Sequence, residues 1–502
     1  MGALGPQATS GATRTLAASL RTHLAATGLI VVFAAGAAFT AKADTLEWAL
    51  ATAYQTNPQL NSQRAVTRAI DENVPQALSG YRPNVSATLS GGRQYQRTET
   101  EVSGSSVSLP ATGRVTTATG RITGLSGLRA VTQGSFDPRS AGITGTQTLF
   151  NGFQTGNRVR QAEQQVSAAR ETLRLIEQNV LLDAATAYMN LLRDTAILEL
   201  QRSNVAVLVE QLRQTRDRFS VGEVTRTDVA QAESRLAAGR SQLATAEANF
   251  TNSRAVYRRV IGVEPGKLAA ASPVDRLSPP TLPGAINSGR ANNPNVTAAM
   301  FGIDVQALQV KINEGALYPV LTVTANAQQN WESSPLIKQQ TNASLIGQLT
   351  VPIYRGGLFY SAVRQAKETL TQRRFDLETA RDQIQAAVVQ AWGNLDAAKA
   401  QIAATQAQVS AAEIALNGVR EEARVGQRTT LDVLNAQQEL VNARVALVTA
   451  QRDRVVASFN LLSSVGRLSP GNLGLPTSVY DPMNHYQQVR DVWAGVRTPD
   501  GK

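Results

Sequence analysis

The sequence predicts a mainly helical protein that carries part of a membrane β-barrel, a barrel that one chain cannot close alone. Three observations predict it: the chain contains one architecture twice, each copy carries long heptad-patterned helices, and each copy offers only one pair of amphipathic strands.

The duplication is read directly from the residues. Val221-Gly222 through Thr227-Asp228-Val229 returns as Val425-Gly426 through Leu431-Asp432-Val433, 204 residues later. At the same offset Phe150-Asn151-Gly152 meets Tyr354-Arg355-Gly356, Tyr188 meets Trp392 and Gly262 meets Gly466. Upstream the offset is 236, pairing Asn57-Pro58 with Asn293-Pro294, so 32 extra residues lie between Pro83 and Phe150 in the first copy. A unit of this length is too long for a solenoid repeat and reads as a duplicated domain whose halves form one pseudo-symmetric body.

The elements follow in order. Residues 1–43 contain no acid, place Arg14 and Arg21 before an apolar run from Leu24 to Phe39, and end in Ala41-Lys42-Ala43, the pattern of a cleaved secretory signal. The first repeat is expected over 44–268, with a helix, strands near 83–98 and 139–150, a long helix over 154–219 and a return helix over 227–262. A linker over 269–283 leads to the second repeat over 284–467. There the strands are expected near 319–331 and 342–354, the long helix over 357–423 and the return helix over 430–465, before a tail over 468–502.

The strands rest on alternation. Val323, Ala325 and Ala327 interleave with Thr322, Thr324 and Asn326, the signature of one wet and one apolar face. Two hairpins give four strands, which leave open edges; three chains would supply twelve, an even antiparallel count suited to an outer-membrane barrel. The insert Gly91 to Arg139, with Gly104, Gly113, Gly120, Gly124 and Gly127, is expected as an irregular external loop. Its Arg93, Arg97, Arg114, Arg121 and Arg129 could meet anionic surface lipid.

The helices rest on heptads. Val159, Ala162, Val166, Ala169, Leu173, Ile176 and Val180 alternate by three and four, and Leu191, Leu198, Val205, Leu212 and Phe219 continue seven apart. Each long helix ends at a Val-Gly pair, whose glycine can adopt the left-handed conformation that closes a helix, and a Thr or Asp a few residues on can cap the next one. A long helix of about 65 residues spans roughly 100 Å, nearly the sum of the return helix and the helix before the strands, so each half becomes a two-column rod.

Composition excludes several classes. Without residues 1–43 the chain keeps 46 basic and 38 acidic side chains, a mild excess that is interspersed rather than clustered, which argues against nucleic-acid binding. There is no cysteine, hence no disulfide and no lipidated N-terminal thiol, and the only histidine outside the signal is His485. No phosphate loop, metal-ligand cluster or nucleophile elbow is present, so neither catalysis nor a cofactor or metal is expected. A periplasmic coiled-coil adaptor also combines a signal, hairpins and β segments, but it carries a single hairpin.

Duplicated helix, strands, long helix, Val-Gly turn and return helix together resemble the TolC family of outer-membrane channel-tunnel proteins. Two stretches carry the resemblance: Val351-Pro352-Ile353-Tyr354-Arg355-Gly356-Gly357, and Val425-Gly426-Gln427-Arg428-Thr429-Thr430-Leu431-Asp432-Val433-Leu434. The resemblance implies a homotrimer with a twelve-stranded barrel in outer-membrane lipid and an α-helical tunnel across the periplasm. It implies docking of a periplasmic adaptor, linked to an inner-membrane ABC or RND-type transporter, on Val221, Gly222, Glu223 and Val224 and on Val425, Gly426, Gln427 and Arg428. It further implies a gate in which Asp228 pairs with Arg428 while Asp432 rings the pore. Asn435 stands where a second pore acid is common, and Ala423 where a gate tyrosine can lie. The carboxylates have a local explanation as well, since an acid in a first helical turn is favoured by capping and by the macrodipole. The tail from Tyr480 to Trp493 looks like that of the branch serving type I protein secretion, with small-molecule efflux as the alternative cargo.

Overall fold

Two hairpins of unequal helices give the molecule its frame. The computed structural model describes residues 44–102, 128–334, 337–499 and 501. The signal segment expected over 1–43, and Gly104, Gly113, Arg114, Gly120, Arg121, Gly124 and Gly127 of the insert, lie outside these residues. The chain opens with helices α1 (Leu46–Thr56), α2 (Pro58–Asp71) and α3 (Asn73–Leu78), then strands β1 (Asn84–Gly91), β2 (Gln94–Val102), β3 (Leu128–Phe136) and β4 (Arg139–Asn151). The first hairpin is α4 (Gln154–Ser220) with α5 (Arg226–Ile261), followed by α6 (Leu282–Asn292) and α7 (Pro294–Gly315). Strands β5 (Val320–Ser334) and β6 (Ile337–Thr350) lead to the second hairpin, α8 (Leu358–Arg424) with α9 (Thr430–Ser464), and the tail forms α10 (Pro470–Leu473) and α11 (Pro482–Val489).

Helices α4 and α8 are both 67 residues long and α5 and α9 are 36 and 35, so each return helix covers about half of its partner. An Asn-Pro pair supplies the rest of each column. Asn57 Oδ1 accepts from the backbone N–H groups of Gln59 and Leu60, which caps α2, while its Nδ2 donates 3.0 Å to the carbonyl of Val260 at the end of α5. Asn293 does the same for α7, accepting from Asn295 and donating 3.0 Å to the carbonyl of Ser464 in α9. Pro follows in both cases, at a helix start where its missing N–H costs nothing. One buried amide thus satisfies the open end of two helices and splices them end to end.

Of the heptad positions, α4 buries Ala162, Val166, Ala169, Leu173, Val180, Leu191, Leu198 and Leu212, while Val159, Ile176 and Val205 are half-buried and Phe219, beside the turn, is exposed. Where α1, α4, α5 and α9 converge, Tyr54, Tyr188, Tyr257 and Phe459 are fully buried, each contributing about 1.5–3 kcal/mol of apolar burial. The Tyr188 hydroxyl lies 2.7 Å from the carbonyls of Asp44 and Ala269, tying the start of the described chain to this core, and burial pushes its pKa up to about 12. The two long helices are not equally covered. Helix α4 buries 21 residues and α8 only nine, leaving Leu358, Tyr360, Phe375, Val389 and Ile414 exposed.

The sheet runs β1-β4-β5-β6 and is antiparallel throughout. Its register aligns the apolar residues: Ala87 faces Ile143, Ile143 faces Ala327, and Ala325 faces Leu345. Because side chains alternate along a strand, these pairs share one face, and Ser86, Thr144, Asn326 and Ser344 share the other. The apolar face is exposed, with Leu89 at 86% and Leu345 at 75%. Edge strands β1 and β6 are exposed along their whole length.

The first strand departs from expectation. A single strand was expected near 83–98, but β1 stops at Gly91 and the chain resumes as β2, which pairs with β3 in a separate two-stranded sheet. Part of the expected irregular insert is therefore strand. Pro138 has no N–H to give the ladder, and Gly91-Gly92 opposite it has little to pack, so pairing breaks there and restarts. Likewise β6 ends at Thr350 rather than 354, because Pro352 cannot continue the ladder. Among the described residues no helix is long and apolar enough to cross a membrane.

Candidate functional site

The two hairpin turns are built alike. Gly222 and Gly426 have φ of +82° and +81°, a conformation that is easy only without a Cβ. Behind them the amides of Glu223 and Gln427 donate 2.9 Å back to the carbonyls of Arg218 and Glu422, closing each long helix with the six-to-one bond of a glycine C-cap. The side chains of Val221 and Val425 project at the tip, 73% and 72% exposed. Glu223 and Gln427 are exposed beside them, and Val224 is half-buried.

Each return helix begins with a capping box. The Thr225 amide and hydroxyl donate to Asp228 Oδ2 at 2.9 and 2.7 Å, and the Asp228 amide donates back to the Thr225 hydroxyl. Thr429 and Asp432 repeat the arrangement at 3.0 and 2.9 Å. Hydrogen bonds from Thr225, side chain first and backbone second, hold the Asp228 carboxyl below the ordinary carboxylate value, and bonds from the Thr429 backbone and hydroxyl do the same for Asp432. Both acids are thus anionic structural caps in addition to any other role.

The hairpins differ in how they are clasped. In the first, Arg218 on the outgoing helix pairs with Glu223 in the turn, Nε to Oε2 at 2.7 Å. In the second, Glu422 on the helix pairs with Arg428 in the turn, Nε to Oε2 at 2.8 Å. Arg218 and Glu422 are equivalent under the 204-residue offset, so the clasp is reversed in charge between the repeats. The duplication read in the sequence contains this signal, but only a comparison of the helix residues before each turn brings it out.

Asp228 and Arg428 both line one cavity of about 670 Å³ between the hairpins, together with Arg218, Glu223, Arg420 and Ala423. They do not pair directly within the chain: Arg428 is held by Glu422 and Asp228 by Thr225. Asn435 is exposed on α9 and accepts 2.6 Å from Arg235 Nη2 of α5, a bond between the two repeats. Just behind the tip, Leu208, Leu212, Ala232, Leu236 and Leu434 form a small core shared by both hairpins. The tips are therefore capped turns on a shared apolar base, with polar, charge-bearing faces. Among the described residues no group of three or more His, Asp or Glu side chains is placed to hold a metal.

An amphipathic open sheet, continuous with paired 67-residue helices that end in exposed capped turns, defines a channel-tunnel architecture. The sequence matches the outer membrane efflux protein family over residues 49–263 and 285–467, and the chain belongs to that family. It is 41% identical over 463 residues to the outer membrane efflux protein BepC of Brucella suis, spanning 92% of this chain and 94% of BepC. It is 26% identical to the alkaline protease secretion protein AprF of Pseudomonas aeruginosa, spanning 66% of this chain and 70% of AprF. In fold it is similar to the Campylobacter jejuni CmeC outer membrane channel, with a TM-score of 0.70 at 16% identity and 89% of each chain covered. The protein is an outer-membrane channel protein of a transport family.

Proposed function

We propose that three copies of this chain form the exit duct of a tripartite export system. Their sheets close into a twelve-stranded barrel in the outer membrane, and their helical columns form a tunnel across the periplasm. The observation that carries this reading is the uneven covering of the two repeats. The sheet ends in two open edges, β1 and β6, and α8 leaves Phe375, Val389 and Ile414 exposed along a helix whose counterpart is well covered. A neighbouring copy placed edge to edge would pair the strands and cover α8 at once.

In this reading the hairpin turns are the periplasmic tip. Val221, Gly222, Glu223 and Val224 and their counterparts Val425, Gly426, Gln427 and Arg428 present the surface for a periplasmic adaptor linked to an inner-membrane ABC or RND-type pump. Asp228, Arg428, Asp432 and Asn435 line or flank the closed entrance.

The cargo proposed is small molecules delivered by an efflux pump. Similarity to BepC over nearly the whole of both chains supports this choice. Type I protein secretion is the second reading, supported by similarity to AprF and by the tail. The tail's weight is reduced by its position. His485 meets Asp71 of α2 at 3.0 Å, Arg64 of α2 lies over Tyr480, and Arg82 lies over Trp493, so the tail anchors on α2 and the start of the sheet rather than at the tips. Deleting the gene and measuring both drug susceptibility and the secreted proteins tests the choice. Lost resistance with an unchanged secretome is expected; unchanged resistance with missing secreted proteins would replace the first reading by the second.

A further inference from the structure

The end of the sheet remote from the helices carries a cluster that a duct does not require. The register sets Arg139 directly against Trp331, and alternation places both on the apolar face with Ala141 and Ile143. A guanidinium and an indole thus sit together at the rim of the surface that meets lipid, the depth at which tryptophans anchor membrane proteins. Where the ladder breaks at Gly91-Gly92 and Pro138, a cavity of about 930 Å³ opens, and Arg93, Arg139 and Lys338 converge on it with Asp137 and Glu332. Arg93 is held only loosely by Asp137, at 3.9 Å. Among the described residues neither Arg139 nor Lys338 has a carboxylate within ion-pair distance, and the sequence over 103–127 contains no acid.

A second hollow of about 350 Å³ adjoins the first and is lined by Ala87, Ile143 and Ala327. Leu89 and Ala141 line both. The pair has the layout of an amphiphile: cations above, a small-residue apolar groove below.

We propose that this rim binds a phosphorylated glycolipid of the outer leaflet. Arg139 and Arg93 hold its phosphate, Trp331 packs at the headgroup boundary, and an acyl chain lies along Ala87, Ala141 and Ala327. Guanidinium suits phosphate because its planar fork donates two parallel hydrogen bonds, and Arg139 has no carboxylate within ion-pair distance to compete for that fork. Basic pockets at the ends of membrane-spanning segments recognise anionic headgroups on the same principle. The proposal rests on the barrel reading above, which puts this end of the sheet in the outer leaflet.

The test uses full-length protein purified in dodecyl maltoside and native mass spectrometry, with bisphosphorylated lipid A, dephosphorylated lipid A and phosphatidylglycerol as probes. Retention of the bisphosphorylated form alone is expected, with Arg139→Gln and Arg93→Gln each weakening it about tenfold, as for loss of one charged hydrogen bond. Arg139→Lys should restore only part of the loss at that position, since it keeps the charge but not the fork. Unchanged retention in the double variant, with the trimer and its detergent-dependent solubility intact, would overturn the site while leaving the duct in place. Equal retention of phosphatidylglycerol would overturn the assignment to a glycolipid. Wild-type protein that stays soluble without detergent and binds no lipid would overturn the barrel reading and this proposal together.

Discussion

Arg218 in the first repeat and Glu422 in the second occupy equivalent places 204 residues apart, and each clasps its own turn with a partner of opposite charge, Glu223 and Arg428 respectively. Two hairpins with the same backbone therefore present inverted charge patterns at the tip. In a ring that alternates first and second repeats, cationic and anionic positions would alternate around the entrance, an arrangement that favours a closed, self-complementary ring.

Arg428 gives the most direct probe of that arrangement. Arg428→Ala should leave the fold intact, because the side chain is exposed and exposed ion pairs contribute little to stability, and should raise closed-state single-channel conductance in planar bilayers. Asp228→Asn separates gate from cap. Asparagine keeps a side-chain oxygen that can accept from the Thr225 amide but carries no charge, so increased conductance is expected if Asp228 helps hold the entrance shut. Unchanged conductance in both variants would reduce these residues to turn chemistry.

The amide splices predict a stability effect far from the tip. Asn57→Ala removes a cap and strands the carbonyl of Val260 in a buried joint, at a cost of about 2–4 kcal/mol. Asn293→Ala should cost about the same at the joint with Ser464. Asn57→Asp is the discriminating variant: it still accepts from Gln59 but cannot donate to Val260. Denaturant melts in detergent should place it nearer to alanine than to wild type.

Acid should act in opposite senses at the tips and where α1 and α2 pack on α4. Asp228 and Asp432 have folded pKa values below the ordinary 3.8, so the stability they lend the turns is present above that value and is lost as pH falls through the depressed one. Burial raises Asp71 and Glu177 above their ordinary 3.8 and 4.5, which makes their ionisation a cost that grows as pH rises through that range. Hydrogen-exchange protection, corrected for intrinsic rates, should therefore fall at the tips on acidification below pH 3.8 while the region around Tyr54 and His485 gains from protonation of Asp71 and Glu177.

The strand-to-helix junction predicts that equivalent glycines are unequal. Gly152 and Gly356 both have positive φ, +64° and +60°. A Cβ on Gly152 would run into the carbonyl of Gly315, whereas one on Gly356 meets nothing within 4 Å. Gly356→Ala should cost only the left-handed conformation, about 1–2 kcal/mol, while Gly152→Ala must also move α7 and should prevent formation of the proposed trimer, read by native gel electrophoresis in detergent.

What could be read from the sequence was periodic or local. The heptads of α4, the alternation in β5 and the Thr-Asp caps after each Val-Gly turn are set by neighbours a few residues away, and the 204-residue offset exposed them twice. Strand β2 is not separable from β1 by sequence pattern, because Gln94-Tyr95-Gln96-Arg97-Thr98 is polar on both faces and gives no period, and the break depends on Pro138 across the ladder. The partner of Arg428 was not legible for a similar reason. Glu422 lies six residues back across the turn, and only the folded hairpin brings the two long side chains together. The Asn-Pro pairs were visible as repeats, but not as splices, since their acceptors lie 203 and 171 residues away.

The central claim is that this chain forms a membrane-crossing duct, and conductance tests it most directly. Protein extracted from the outer membrane in detergent and added to a planar lipid bilayer should insert as a trimer and give discrete, long-lived conductance steps. Protein that partitions into the aqueous phase without detergent and leaves the bilayer silent would contradict the account.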